Sequence, residues 1–379
     1  MQYRNFGNHF EVSALGFGLM RLPRAGDEPS DVDDEESIRM VRRAIEGGVN
    51  YFDTAYGYHG GQSEHVAAKG LAEYRDQVRL ATKLPSWLVE EEADFDKYLD
   101  EQLDKLNTDY LDVYLLHAMG RERWDKMKEL GVIPFLNRAI EDGRIRATGF
   151  SFHDELDVFK EIVDSYNWDM CLIQLNFMDW NYQAGVEGMK YAADAGMAVA
   201  VMEPLRGGKL AQNVPDDVAR IWEKADVERS PAEWALRWVW NHPEVSVVLS
   251  GMTTMEQLEE NLEIADDATP HSLTEDELAL IDEVRDIYLA RMKVNCTECE
   301  YCVPCPQGVA IPRIFSLYNE ASMYGAVEVA SRSYESLHDD EKAAVECIEC
   351  GQCLEACPQD IEIIDALRKA HGHLLGEES

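Results

Sequence analysis

The sequence predicts an α/β protein in two parts, a closed (β/α)8 barrel followed by a small, mainly helical, cysteine-rich domain. Two observations support this prediction. Over about the first 290 residues, short apolar runs alternate with amphipathic segments, which is the pattern of parallel βαβ units. Of the nine cysteines, only Cys171 lies in that stretch, and the other eight form two tight groups near the C-terminus. We therefore divide the chain into domains at 1–290 and 291–379.

The chain opens with a predicted β-hairpin that precedes the barrel. Residues 2–6 and 9–13 read as two short strands, and Gly7-Asn8 supplies the turn. We expect this hairpin to close the bottom of the barrel.

Eight apolar runs are predicted as the barrel strands. The segments between them, such as 36–46, 95–106 and 155–166, have apolar residues three and four apart, as one face of a helix requires. Eight units over about 250 residues suit a closed barrel, whereas an open doubly wound sheet would normally carry a GxGxxG fingerprint after its first strand. The sequence has no such fingerprint there. The predicted strands are 14–18, 49–54, 78–83, 112–117, 146–151, 171–176, 198–203 and 245–250.

Composition and charge narrow the range of functions. With 73 acidic and 35 basic residues the formal net charge is −38, and both parts of the chain share this acidity. Nucleic acid is therefore disfavoured as a partner, because its phosphates would be repelled. No apolar run reaches membrane-spanning length and the N-terminus lacks a signal-peptide pattern, so we expect a cytoplasmic protein without membrane insertion. The charge fits either an ordinary, highly solvated surface or a high-salt cytoplasm.

Four ionisable residues stand at predicted strand ends, where the active sites of such barrels lie. Asp53, Lys83 and His117 each close an apolar run, and Tyr58 follows Asp53 by five residues. A tyrosine pKa near 10 is too high for ready proton exchange at pH 7, and a neighbouring ammonium lowers it. The group could protonate a carbonyl oxygen while reducing equivalents reach the carbon. Any one of these residues could be structural, but four together indicate a catalytic group.

The segments FDTAYGY, LATKLP and DVYLLH resemble, in order and spacing, the signatures of the aldo-keto reductase superfamily. The resemblance covers roughly residues 1–290 and implies a TIM barrel that binds an extended nicotinamide dinucleotide across its mouth. It also implies that Tyr58 is the proton donor, that Lys83 and Asp53 tune it, and that His117 orients the substrate carbonyl.

The same resemblance implies the cofactor contacts. Ser151 and Gln174 match positions that hold the carboxamide, EPLRGGKL (203–210) resembles the pyrophosphate loop, and SGMTTMEQLEEN (250–261) resembles the adenosine-binding segment. The expected contacts are Ser151, Gln174, Pro204, Leu205, Gly207, Ser250, Gly251, Met252, Gln257 and Asn261.

Two departures from the family pattern bear on the cofactor. Phe152 stands where the family usually has asparagine. Residues 252–257 include Glu256 and no basic residue, so charge disfavours a 2′-phosphate and NAD fits better than NADP. Two alternatives stay open: a degraded dinucleotide site, and a bound flavin.

The cysteine spacing predicts two [4Fe–4S] clusters. The first run is CxxCxxCxxCP from Cys296, and the second is CxxCxxCxxxCP from Cys347, which is the spacing of bacterial ferredoxins. Zinc is the alternative metal, but a four-coordinate zinc site is completed by two CxxC pairs and does not require a third CxxC step. In two-cluster ferredoxins the last cysteine of each run binds the other cluster, which gives two ligand sets. The sets are Cys296, Cys299, Cys302 and Cys357, and Cys347, Cys350, Cys353 and Cys305.

The segment between the two cysteine runs is helix-prone and resembles the α-helical ferredoxin domain of multi-subunit reductases. The segments CVPCPQGVAIPRIF and CIECGQCLEACPQDI make the whole chain resemble the aldo-keto reductases that carry a C-terminal dicluster domain.

Three functions remain open. The first is an oxidoreductase that reduces a small-molecule carbonyl while its clusters exchange electrons through a redox partner protein or a flavin. The second is an NAD(H)-dependent carbonyl reductase with structural or redox-sensing clusters, which Phe152 and the missing basic residue weaken. The third is a non-catalytic electron-transfer or docking protein, which the four intact strand-end residues argue against. We expect the substrate pocket to be lined by loops 118–123, 152–154 and 178–183 and by the C-terminal segment.

Overall fold

The computed structural model describes residues 1–296 and 298–376. This part of the chain contains ten strands. They are β1 (Tyr3–Phe6), β2 (Phe10–Ser13), β3 (Leu15–Gly18), β4 (Tyr51–Asp53), β5 (Arg79–Leu84), β6 (Val113–Met119), β7 (Thr148–Phe152), β8 (Met170–Gln174), β9 (Ala198–Met202) and β10 (Val245–Ser250). Strands β3 to β10 are all parallel and close into a barrel in chain order, with β10 pairing to β3. All eight predicted barrel strands are therefore confirmed.

The N-terminal hairpin closes the bottom of the barrel, as predicted. Strands β1 and β2 pair antiparallel, with Phe6 opposite Phe10 beside the turn. Phe6 and Val12 are fully buried, in one cluster with inward-facing residues of the barrel such as Tyr51. The hairpin thus fills the end of the barrel opposite the strands' carboxyl ends.

Helices alternate with the barrel strands and continue through the C-terminal region. The three helices predicted at 36–46, 95–106 and 155–166 are found with ends shifted by one or two residues. The first begins earlier than predicted because Asp33 caps it, accepting a hydrogen bond from the amide of Glu36. The helices are α1 (Asp34–Glu46), α2 (Ser63–Leu71), α3 (Ala93–Leu106), α4 (Arg121–Glu129), α5 (Val132–Glu141), α6 (Leu156–Ser165), α7 (Gly185–Asp194), α8 (Asp216–Trp222), α9 (Pro231–Trp240), α10 (Met255–Ala265), α11 (Glu275–Ala290), α12 (Ile311–Tyr324), α13 (Val327–Asp339), α14 (Gln352–Ala356) and α15 (Ile363–Leu375).

The chain forms two compact units. Met1–Gly207 with Ala232–Thr274 makes up the barrel unit, and Gly208–Pro231 with the chain from Glu275 onward makes up the second. The second unit therefore contains α8 and α11 in addition to the cysteine-rich region. The domain boundary at residue 290 stays a prediction.

The second unit is mainly helical, as predicted. Its apolar core comes from α12, α13 and α15, with Phe315, Tyr334 and Leu367 buried at its centre. Six of the eight clustered cysteines pack against this core while remaining partly accessible. No helix in the described residues combines the length and the apolar character needed to cross a membrane.

Arg4 of β1 ties the hairpin to the bottom of the barrel unit. Its guanidinium donates hydrogen bonds of 2.6–3.1 Å to the carbonyl oxygens of four residues. These are Trp240, His242, Val245 and Ala268.

We predict that Arg4→Gln lowers the free energy of unfolding of the barrel by about 3 kcal/mol, because it leaves several carbonyl groups without a donor. Urea unfolding followed by tryptophan fluorescence measures this change. Arg24→Gln is the control, since Arg24 is exposed and donates only to the nearby Asp27 carbonyl; it should change stability by less than about 0.5 kcal/mol. Equal effects of the two substitutions would contradict the prediction.

Candidate active site

The centre of the candidate site is Lys83, a fully buried lysine near the carboxyl end of β5. Its ammonium donates to Asp53 Oδ1 at 2.6 Å, to the Thr54 carbonyl at 2.7 Å and to Tyr58 Oη at 3.3 Å. These three acceptors match the three protons of an ammonium. Asp53 and Tyr58 raise the pKa of Lys83 against the opposing effect of burial, so the side chain stays charged.

Tyr58 stands in the loop after β4, where its hydroxyl oxygen accepts a hydrogen bond from Lys83. Its own O–H proton is therefore free to point towards another acceptor. Burial raises the pKa of Tyr58 and outweighs the lowering by Lys83 that we expected from the sequence. At neutral pH the side chain is an intact phenol beside a cation that would stabilise its phenolate, which suits a proton donor.

His59 fixes the loop that carries Tyr58. Its backbone is left-handed, with φ of 52°, and its ring bridges two backbone groups of the segment before α1. Nε2 accepts from the Leu22 amide at 3.1 Å, and Nδ1 lies 3.2 Å from the Pro29 carbonyl oxygen.

His117, at the end of β6, completes the predicted set. Its ring centroid lies 6.0 Å from that of Tyr58 and 5.1 Å from that of Trp87, both with edge-to-face geometry. Burial, reinforced by the charge of Lys83, lowers the pKa of His117 to about 2, so its imidazole is neutral. Nδ1 is buried and has no hydrogen-bond partner among the described residues. The structure thus brings all four predicted residues together.

A buried polar network behind Lys83 was missed by sequence reasoning. Gln102 of α3 donates to the Lys83 carbonyl oxygen at 3.1 Å and to Glu64 at 2.6 Å, and Tyr114 donates to Gln102 at 2.8 Å. The sequence carried a signal for it, because Gln102 follows Leu99 by three residues on the apolar face of α3. The Thr54 carbonyl had no such signal, since every residue has one.

Ser151 and Gln174, the two predicted carboxamide contacts, end neighbouring strands at the barrel mouth and already have protein partners. The Ala118 amide donates to Ser151 Oγ at 2.7 Å, and Gln174 donates to Asp179 at 2.9 Å. Phe152 turns away from this site, because its ring packs edge-to-face on Phe159 of α6 at 5.1 Å. The departure at Phe152 therefore contributes to packing between β7 and α6.

The predicted dinucleotide loops meet around Arg21, which sequence reasoning also missed. A Cβ on Gly207 would lie 3.3 Å from the Arg21 guanidinium, and one on Gly251 would lie 3.0 Å from its side-chain carbons. Arg21 also pairs with Glu203 at 3.2 Å. A cation between two glycines provides a cradle that fits a pyrophosphate.

The remaining predicted contacts lie in the loops on either side of this cradle. Pro204 and Leu205 form the turn before Gly207, and Met252 is buried just after Gly251. Asn261 donates to Ser250 Oγ at 2.9 Å, and Gln257 accepts from the Thr253 amide at 2.8 Å. Both side chains of α10 therefore hold the loop that leaves β10.

The eight clustered cysteines line two cavities in the second unit, and the cavities pair the cysteines across the two runs. One is lined by Cys305 with Cys347, Cys350 and Cys353, and the other by Cys357 with Cys296 and Cys299; Cys302 borders both. This arrangement fits two thiolate-ligated clusters in which each run lends its last cysteine to the other.

Comparisons with known proteins match two families along the chain. Residues 14–286 match the model of the aldo/keto reductase family, and residues 295–362 match that of a 4Fe-4S dicluster domain. L-galactose dehydrogenase of Arabidopsis thaliana is 28% identical over 289 residues, which cover 69% of this chain and 87% of that protein. Methylglyoxal reductase YeaE of Escherichia coli is 26% identical over 292 residues, 73% of this chain and 93% of that protein. The holo structure of aldo-keto reductase AKR11C1 from Bacillus halodurans superposes with a TM-score of 0.63 at 27% identity, covering 75% of this chain and 96% of that one.

We predict that His117 makes stability depend on pH. An unfolded histidine titrates near 6.5, whereas folded His117 titrates near 2, so below pH 6.5 only the unfolded chain takes up this proton. The free energy of unfolding should then fall as the pH drops below 6.5, by up to about 1.4 kcal/mol per pH unit from this residue. His117→Gln should flatten that slope in urea unfolding between pH 6.5 and 4.5, and the exposed-site control His65→Gln should not. Parallel slopes for the wild type and His117→Gln would refute the assignment of a neutral, buried imidazole.

Proposed function

The chain belongs to the aldo/keto reductase family, and on that premise we propose that it reduces a small-molecule carbonyl compound to an alcohol at Tyr58, using NAD(H) bound at the barrel mouth. The observation that carries the proposal is the hydrogen-bond pattern of Lys83. This ammonium donates to Asp53, Thr54 and Tyr58, which leaves the Tyr58 proton available to a substrate oxygen.

The residues of the site account for the proton side of the reaction. Tyr58 gives its proton to the carbonyl oxygen, and the charge that develops on its own oxygen is stabilised by Lys83 3.3 Å away. Asp53 holds that ammonium in place. Neutral His117 supplies a hydrogen bond that polarises the carbonyl without competing for the proton. When bound, the reduced nicotinamide supplies the hydride for the carbonyl carbon, which completes a two-electron reduction.

The residues proposed to hold the dinucleotide are those at the mouth of the barrel. Ser151 and Gln174 face the carboxamide, and the loop through Pro204, Leu205 and Gly207 approaches the pyrophosphate with Arg21 beside it. The residues proposed to bind the adenosine end of the dinucleotide are Ser250, Gly251, Met252, Gln257 and Asn261. We propose NAD over NADP because Glu256 lies in this segment and no basic side chain does.

The 4Fe-4S dicluster domain is proposed to hold two [4Fe–4S] clusters on the two crosswise cysteine sets, where they supply one-electron transfer. Cys299 and Cys350 are exposed, one in each set. This exposure favours exchange of electrons with an external redox partner over a purely structural role. Because eight thiols must remain reduced for assembly, we propose the cytoplasm as the compartment.

We predict that Tyr58→Phe lowers kcat for aldehyde reduction by about 10²–10⁴-fold, because the ring remains but its proton is lost. NADH affinity should stay within about twofold. Methylglyoxal is a first substrate to assay under anaerobic conditions, because the relative YeaE is named a methylglyoxal reductase. Tyr56→Phe is the matched control, since the Tyr56 hydroxyl donates to Glu101 at 3.0 Å and not to a residue of the proposed catalytic group. Full activity in Tyr58→Phe would overturn the proton-donor role.

Paired cysteine substitutions test the crosswise assignment. Cys357→Ala and Cys296→Ala should each remove the same cluster, so their combination should lose roughly half of the iron, no more than either alone. Cys357→Ala combined with Cys347→Ala should remove both clusters. Iron analysis and EPR of the reduced protein measure this, with Cys171→Ala, a buried cysteine of β8, as the control that keeps all the iron. Loss of both clusters in Cys296→Ala/Cys357→Ala would contradict the assignment.

A further inference from the structure

Arg123 is an exposed arginine in the first turn of α4. This helix follows β6, the strand that contains His117 and ends at Met119. Its Nη1 donates to the Ala118 carbonyl oxygen at 2.8 Å, which anchors the side chain beside the residue that follows His117. Within residues 1–296 and 298–376 this guanidinium makes no ion pair. Other arginines of this acidic chain, such as Arg121, Arg138 and Arg206, do pair with carboxylates.

The carboxylates around Arg123 have other partners. Asp154 accepts hydrogen bonds from the backbone amides of Arg121 and Glu155, at 2.7 Å each. Glu203 pairs with Arg21. The other arginine of the same turn, Arg121, pairs with Glu161. Arg123 is thus a cation anchored at the mouth of the barrel whose remaining N–H groups have no protein acceptor among the described residues.

Two further polar side chains lie near Arg123. The charge of Arg123 contributes to the lowered pKa of His153 and of His117, although burial is the larger cause for both. Gln183 lies beside His153, within reach of a side-chain hydrogen bond to it. Arg123, His153 and Gln183 come from the three loops that the sequence predicts as pocket lining, and the charges of Arg123 and His153 both act on His117.

We propose that Arg123 recognises an anionic group, a carboxylate, on the carbonyl substrate, with His153 and Gln183 as neutral hydrogen-bonding neighbours. This inference rests on the proposed carbonyl reduction and narrows its substrate class to oxo acids. A guanidinium binds a carboxylate through paired hydrogen bonds, which fixes the orientation of the substrate as well as its affinity. The chain as a whole carries an excess of negative charge that repels anions, so a cation without a protein counter-ion favours the entry of anions at its own position.

The test compares an acid with its neutral amide. The aldehyde substrates are 4-oxobutanoate and 4-oxobutanamide, and the corresponding acid and amide with one more carbon. For each aldehyde, kcat and KM are measured with the wild type and with Arg123→Gln. Lys126→Gln is the matched control, because it removes one positive charge from an exposed position one turn further along α4. Binding of the alcohol products, 4-hydroxybutanoate and 4-hydroxybutanamide, is measured separately by calorimetry and does not depend on turnover.

We expect the wild type to prefer the acid over the amide at least about 10-fold in kcat/KM, mainly through KM. Arg123→Gln should reduce this ratio to within about threefold of unity and leave the amide almost unchanged, whereas Lys126→Gln should keep the preference. Arg123→Lys should restore part of it. Equal use of acid and amide by the wild type, or equal losses in Arg123→Gln and Lys126→Gln, would overturn the inference. If no aldehyde is reduced but calorimetry shows Arg123-dependent binding of 4-hydroxybutanoate, the proposed reaction fails and the anion site stands.

Discussion

The barrel site depends on one buried cation. Lys83 is fully enclosed, and an ammonium in such a place is tolerated only if its charge is balanced and its protons are accepted. Asp53 supplies the balancing charge, and Thr54 and Tyr58 supply the other two acceptors. The same requirement places the ends of β4 and β5 in register and orients the phenol. Structure and proposed chemistry therefore follow from the same set of hydrogen bonds.

This constraint explains why the supporting residues lie where they do. Gln102, which also donates to Glu64, donates to the backbone carbonyl of Lys83, and His59 holds the Tyr58 loop. Their hydrogen bonds help to fix the position of Tyr58, which matters because proton transfer requires hydrogen-bond distance.

Much of the fold and part of the candidate site could be predicted from the sequence, for reasons that differ from one element to another. The barrel strands were predictable because a parallel strand buried on both faces must be apolar throughout. The dicluster domain was predictable because cluster ligation requires closely and regularly spaced cysteines, whereas the two crosswise ligand sets stay a prediction. Arg21 was missed because its relation to Gly207 and Gly251 depends on the closure of the barrel. The raised pKa of Tyr58 was missed because the sequence shows that a lysine is near but not how completely the phenol is buried.

In the proposed function the two units handle electrons in different ways, since clusters carry them singly and a nicotinamide delivers a pair as hydride. We propose that the barrel is a working two-electron reductase. A single turnover with NADH dideuterated at C4, followed by mass analysis of the alcohol, tests it most directly. We expect one deuterium on the carbinol carbon of the product. Hydrogen from solvent at that carbon, with electrons drawn from the clusters, would contradict the claim.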